Sequence, residues 1–234
     1  MFLSLIIPAY NESKRIGQTI ETARNALHGA AIEQYEIVVS DDHSTDNTRA
    51  VAEAAGARVI SSGKRNIGAT RNVGAAAAEG THFLFVDADT LINAELLQAM
   101  RNAFERGYVA GGALLYWSEP APFSAHFCMF VWNWISRIQK LPAGSFLFAT
   151  RESFEQVGGF NEEFFITEEL DLGRRLKTAG PLIILRERYH TSSRKLREFT
   201  IREHLQMLKK LIINPKDTVR NQKHLDIWYE RRDV

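Results

Sequence analysis

Through the first half of the chain, short apolar runs alternate with stretches whose apolar residues recur every three or four positions. The runs at 3–7, 35–40 and 58–61 read as strands, as does Phe83-Leu84-Phe85-Val86, which is apolar enough to be buried on both faces. Between them, Ile16, Ile20, Ala23 and Leu27 line one face of a helix that Ser13 could cap. Residues 45–55 predict a second helix and 68–78 an alanine-rich third. Such alternation implies an α/β fold with a largely parallel sheet and right-handed crossovers. The second half is less regular. Residues 109–117 and 146–150 read as strands with an aromatic helix or loop between them, and 168–178 as a helix stopped by Gly180-Pro181. Helices at about 197–213 and 217–230, broken by Pro215, close the chain. No repeat, low-complexity segment or linker divides it, so a single domain over 1–234 is expected.

Composition changes this picture little. At 234 residues, 45% hydrophobic and 24% charged, the chain is an ordinary globular one with enough length for a proper core. A net charge of +1 gives no reason to expect a nucleic-acid partner. One cysteine, Cys128, excludes an internal disulfide framework, suits a reducing cytoplasm, and reads as a small buried hydrophobe. The start reaches Pro8 too soon for a signal peptide, and no stretch offers the ~20 apolar residues of a membrane span. The nearest approach, 123–138, is interrupted by His126, Asn133, Ser136 and Arg137. Its Phe123, Phe127, Phe130, Val131 and Trp134 could form an apolar face for core packing, for self-association into a homo-oligomer, or for peripheral contact with the inner membrane face.

Candidate chemistry concentrates where the strands end. Asp87-Ala88-Asp89 follows the most apolar run, at the carboxyl edge where α/β sheets bind ligands. In extended backbone both side chains would face one site, and their hard oxygens suit Mn²⁺ or Mg²⁺ shared with substrate phosphates. Asp89 or Thr90 could instead help start the next helix, although Asn93 is the better cap. Pro8-Ala9-Tyr10-Asn11-Glu12 and Asp41-Asp42-His43-Ser44-Thr45-Asp46 empty onto the same edge. A carboxylate there can accept a uracil imide hydrogen and Tyr10 could stack on the base, while turn-forming and capping account equally for Ser44 and Asp46. Lys64, Arg65 and Arg71, around a helix start, suit an anion, although Arg71 could instead pair with a surface carboxylate. Neither a dinucleotide-binding glycine motif nor a P-loop is present.

The blocks I-I-P-A-Y-N-E, V-V-S-D-D-H-S-T-D, R-N-I-G-A-T-R-N-V-G and F-V-D-A-D resemble the inverting family 2 glycosyltransferases. A-G-S-F-L-F-A-T-R-E-S-F-E-Q-V-G-G-F-N-E-E-F and T-E-E-L-D-L-G-R-R-L extend the resemblance across roughly 3–194. It implies a GT-A fold, a Rossmann-like three-layer α/β/α arrangement around a largely parallel mixed sheet. Residues to about 106 would bind the nucleotide, about 107–196 would serve acceptor and catalysis, and the rest would be a helical extension. On this resemblance Asp42 holds uracil, with Pro8, Ala9, Tyr10, Glu12 and Ser44 lining the nucleoside pocket and Lys64, Arg71, Asp87 and Ala88 near ribose and phosphates. Asp89 would be the direct metal ligand with Asp87 beside it, His190 a late ligand, and Arg194 or Lys195 near the diphosphate. Glu169 falls on the base position, commonly aspartate in the family, with Glu168 and Asp171 as fallback bases. A helix start rich in acids is also what the macrodipole favours.

The activity implied is metal-dependent transfer of a hexosyl or N-acetylhexosaminyl group from a UDP-sugar to a saccharide or lipid-linked hydroxyl. Q-x-x-R-W, associated with processive synthases, is absent, so single transfers are expected. Gly111-Gly112, Gly144 and Gly158-Gly159 are candidates for a closing loop. A sugar-phosphate nucleotidyltransferase and a non-catalytic nucleotide-sugar-binding module would use the same pocket and stay open as rivals.

Overall fold

The computed structural model describes residues 1–194 and 215–220. The amino-terminal part runs β1 (Leu3–Ala9), α1 (Ile16–Gly29), β2 (Tyr35–Asp41), α2 (Thr48–Ala54), β3 (Arg58–Ser61), α3 (Ile67–Ala77), β4 (His82–Val86), β5 (Thr90–Leu91) and α4 (Ala94–Glu105). Then follow β6 (Ala110–Trp117), α5 (Phe123–Gln139), β7 (Phe146–Thr150), α6 (Arg151–Gln156), α7 (Glu168–Ala179), β8 (Leu182–Thr191) and α8 (Pro215–Arg220).

The eight strands form one mixed sheet in the order β3-β2-β1-β4-β7-β6-β8-β5. β1 pairs in parallel with both β2 and β4, so the strand order reverses at β1 and opens a crevice beyond its carboxyl end. β7 runs antiparallel to β4 and β6, and β6 runs parallel to β8. Alternation along each strand builds two cores. Leu3, Leu5 and Ile7 face Ile20, Leu27, Leu97 and Met100 of α1 and α4. Ile6, Phe83 and Phe85 face Ala75, Phe154, Leu172 and Leu176 of α3, α6 and α7. Gly74 lets α3 lie directly on β1, since a Cβ there would fall 2.5 Å from Ile6 Cγ2.

Several sequence expectations are corrected. Ser13 does not cap α1; its N–H donates to Asp46 Oδ2 at 3.1 Å, and Arg15 occupies the cap without a side-chain bond. Asn66 and Asn93 do cap, each accepting from an N–H three residues on, at 2.8 and 2.9 Å. Thr90 lies in β5, and β8 is a ten-residue strand beyond those the pattern predicts. Gly111 and Gly112 lie inside β6, where a Cβ on Gly111 would meet Ile183 O at 2.2 Å, so they form no closing loop. Cys128 is exposed on α5, not buried. Pro215 begins α8, the position proline favours. The helix expected at 197–213 and most of that at 217–230 lie outside the described residues.

Candidate active site

Three loops meet at the crevice. After β1, Asn11 adopts φ 53°, its N–H donates to Ser44 Oγ at 2.9 Å, and its Oδ1 accepts from Thr45 N at 2.7 Å. Glu12 N–H donates to Thr48 Oγ1 at 2.7 Å, and the Thr48 hydroxyl passes the chain on to Asp46. Burial would raise the Asp46 carboxyl, but hydrogen bonds from Thr48 and Ser13 hold it down to about 2. Ser44 and Asp46 therefore brace the loops after β1 and β2 against each other. Pro8 and Ala9 are buried beneath them, and Tyr10 is half-buried at the rim.

Asp42 has a task that sequence reasoning missed. Its Oδ1 accepts from Ser62 Oγ at 3.0 Å and from the backbone N–H groups of Lys64 and Arg65 at 2.7 and 3.0 Å. It thereby fastens the loop before α3, leaving Oδ2 without a protein partner among the described residues and open to a base. The Lys64 side chain itself is exposed.

Asp87-Ala88-Asp89 is not extended. Thr90 N–H donates to Asp87 O at 3.0 Å, closing a turn, so the two carboxylates find partners on different elements. Asp87 Oδ1 pairs with Arg71 Nη2 at 2.8 Å. Asp89 Oδ1 accepts from Thr191 Oγ1 at 3.4 Å, and its Oδ2 lies 3.9 Å from Arg194 Nη2. Ala88 is buried, its carbonyl accepting from Thr19 Oγ1 at 2.8 Å. Arg194 also grips Glu12 with both terminal nitrogens, at 3.2 and 2.9 Å, so these two predicted pocket residues engage each other.

Arg71 is the buried hub, 1% exposed. Beyond Asp87 it reaches Glu168 Oε1 at 2.6 Å and Gly144 O at 3.2 Å, and its guanidinium lies 5.3 Å from the Phe160 ring centroid. Burial works against its charge, yet Asp87 first, then Glu168 and Glu169, raise its pKa further. Gly144 is needed for this approach, because a Cβ there would stand 2.8 Å from Arg71 Nη2. The tie carries the start of α7 to the end of β4.

At that start the three candidate bases separate. Glu168 is buried and committed to Arg71. Asp171 is held by Arg175 at 2.7 Å within α7. Glu169 is half-buried and has no side-chain partner among the described residues. Burial first, then the Glu168 carboxylate, push its carboxyl up to about 8, with Arg71 opposing and Asp87 adding to the rise. Thr167, just before, has φ 63°, a strained setting for a β-branched residue and the kind found at functional turns.

His190 pairs in register with Leu91 and Tyr116 on β8. Its neighbour Thr191 bonds to Asp89, so alternation turns the imidazole to the opposite face. Among the described residues no group of three or more His, Cys, Asp or Glu forms a metal cluster. Asp87 and Asp89 still fit a hard cation that completes its shell with diphosphate oxygens and water. The Asp87 and Glu168 carboxylates outnumber the single Arg71 cation between them, which favours further positive charge there.

Some residues that shape the site were not singled out from sequence. Asn66 Nδ2 donates to Glu162 O and Phe164 O at 3.1 and 2.9 Å, and Asn72 exchanges hydrogen bonds with the Phe160 backbone at 2.9 Å each way. Both tie α3 to the segment before α7, and the Asn66 cap pattern was readable. The Tyr189 hydroxyl lies 2.8 Å from Ser145 Oγ, and burial above all pushes its phenol upward.

Comparison with known proteins agrees with this architecture. The model for glycosyl transferase family 2 matches residues 4–150. Poly(ribitol-phosphate) beta-N-acetylglucosaminyltransferase TarS of Staphylococcus aureus is 34% identical over 104 residues, covering 42% of this chain and 18% of that protein. O-antigen chain rhamnosyltransferase WbaN of Salmonella anatum is 27% identical over 200 residues, 76% of this chain and 61% of that one. The chain thus spans less than two thirds of either relative. Glucosyl-3-phosphoglycerate synthase from Mycobacterium tuberculosis, crystallised with Mn²⁺, UDP and glucosyl-3-phosphoglycerate, superposes with a TM-score of 0.62 at 18% identity, over 93% of this chain and 80% of that chain. The fold is GT-A, as the resemblance implied. The chain belongs to glycosyl transferase family 2.

Proposed function

We propose that the chain moves a hexosyl or N-acetylhexosaminyl group from a UDP-sugar to an acceptor hydroxyl, one sugar at a time and with inversion. The observation that carries this reading is Glu169, the one acid at the start of α7 that is not tied to an arginine, with its carboxyl raised to about 8. Once it has lost its proton, as pH approaches 8, such a carboxylate is a stronger base than an ordinary glutamate. The acceptor oxygen would attack the anomeric carbon as its proton passes to Glu169. The bond to the diphosphate breaks on the opposite side, and its electron pair leaves with UDP. Arg71 holds Glu168 and Asp87 in place, keeping the base in register with the donor. Asp89, with Asp87, would hold Mn²⁺ or Mg²⁺, which supplies charge neutralisation at the departing diphosphate. The amino-terminal half would grip the donor, and residues from about 107 onward would present a saccharide or lipid-linked acceptor.

Calorimetry of UDP binding tests the donor side. UDP is expected to bind at least about tenfold more tightly with Mn²⁺ than with EDTA, as carboxylate and phosphate share the cation. Equal affinity in EDTA would remove the metal bridge from the proposal, and tighter binding of GDP would overturn the base assignment.

Asp42 is tested by two substitutions. Asp42→Ala should weaken UDP binding by about 1.5–3 kcal/mol, the worth of a hydrogen bond to a charged group, and should also loosen the loop at Lys64. Asp42→Asn keeps an oxygen for that loop but turns an amide toward the uracil imide. Both should lose UDP affinity, whereas only the alanine variant should melt earlier. Unchanged affinity in the asparagine variant would leave Asp42 as a loop anchor alone.

A further inference from the structure

Helix α5 has its large apolar residues on the outside. Phe123, Phe127, Phe130, Trp134 and Ile138 are 85, 59, 67, 60 and 61% exposed, while its buried residues are the small Ala125 and Ser136. A helix serving only the core of a water-soluble domain shows the reverse. At 3.6 residues per turn, the five side chains fall within about 80° of arc, a straight stripe about 22 Å long. The other side is pinned to the domain: Asn133 exchanges hydrogen bonds with Leu115 N and O at 3.0 and 2.8 Å, and Trp117 Nε1 donates to Ala125 O at 3.4 Å. The stripe is therefore held outward by polar bonds.

We propose that α5 lies flat on an anionic lipid bilayer, inserting this stripe into the headgroup–acyl boundary. Charge points to that occupant. Residues 123–140 contain no Asp or Glu, and Arg137 and Lys140 stand at the end of the helix. Residues 195–234 add ten Lys and Arg against six Asp and Glu, although the whole chain is nearly neutral. Phenylalanine and tryptophan beside basic residues form the composition of an interfacial helix. A second copy fits less well. The stripe exposes on the order of 700 Å², close to the ~800 Å² per partner of a stable protein interface, so area does not decide; charge does, because a second α5 brings no Asp or Glu to meet Arg137 and Lys140. Among the described residues no helix is long and apolar enough to cross a membrane, so the contact is superficial. Both ends of α5 connect to the active site. Ser118 N–H, next to Trp117, donates to Thr191 O at 2.9 Å, and Ser136 Oγ donates to Leu141 O at 2.6 Å, three residues before Gly144. Docking would hold the site at the lipid surface.

The test is co-sedimentation of the full chain with phosphatidylcholine vesicles, with and without phosphatidylglycerol, alongside the double variant Phe127→Ser/Trp134→Ser. The wild type should bind the mixed vesicles, and the variant should lose at least about tenfold in partitioning while keeping its melting temperature and UDP affinity. A polarity-sensitive fluorophore on Cys128, the sole cysteine and adjacent to Phe127, should brighten on mixed vesicles only. Wild type that stays out of the vesicles, or a variant that binds them equally, overturns the proposal. So does lipid-free wild type that dimerises while the variant stays monomeric, since a second copy would then cover the stripe. UDP binding in the same samples reports separately on the donor site, so failure of the one reading does not mimic failure of the other.

Discussion

Glu169→Gln should lower turnover by about two to four orders of magnitude and leave UDP affinity unchanged. Glutamine matches the shape of glutamate but cannot take the acceptor proton. Turnover of the wild type should climb as pH rises through about 8, because the carboxyl must lose its proton before it can act as a base. The stability consequence has the opposite sign. A carboxyl raised in the folded state favours folding below its ordinary value of 4.5, and that contribution is lost as pH rises through about 8. Glutamine imitates the protonated acid permanently, so the variant should melt at or above the wild-type temperature in alkaline buffer. Glu168→Gln should behave otherwise, with earlier melting because the Arg71 contact at 2.6 Å is weakened. UDP release with acceptor, corrected for donor hydrolysis, measures the rate. Full activity in Glu169→Gln would move the base elsewhere. A wild type that binds UDP yet transfers to no acceptor would favour a binding module.

Arg71→Met should be the most destabilising single change at the site. It strands Asp87 and the buried Glu168 without their cation, and breaking a buried pair from one side costs about 3–5 kcal/mol. For a chain of this length that corresponds to a fall in melting temperature of roughly 6–20 °C. Adding Glu168→Gln to Arg71→Met should recover part of the loss, since one stranded charge is then removed. Unaltered melting of Arg71→Met would show that the cluster is already solvated and that Arg71 acts on substrate alone.

How much of this was legible beforehand follows from the range of the interactions. The early strands and helices were readable because their patterns are local, and so were the three loops that share the carboxyl edge. β8 escaped because Leu182-Ile183-Ile184-Leu185 passes into Arg186-Glu187-Arg188, whose charges suppress the strand signal, and the pairing with β6 skips from Ile184 to Arg188 across an irregularity. The division of labour between Glu168 and Glu169 was not readable. It depends on Arg71, 97 residues from Glu168, approaching one neighbour and not the other. The anchoring role of Asp42 was hidden for another reason: two of its donors are backbone N–H groups, which leave no mark on residue identity. The left-handed Thr167 likewise follows from packing around α7, not from any turn-forming residue type.

The grip of Arg194 on Glu12 joins residues 182 positions apart, and it has a consequence for the order in which the molecule is made. Contacts of such separation require closure of very long loops and form late in folding. During synthesis, β1 and β2 leave the ribosome and can pair long before residue 194 exists. Until then the first pocket loop lacks that arginine, and Glu12 is without this ion pair. A nascent chain halted after α4 should therefore contain much of the donor-side scaffold but bind nucleotide weakly. Donor affinity should appear abruptly once the strand ending at Thr191 has docked, so the order of translation itself delays ligand capture.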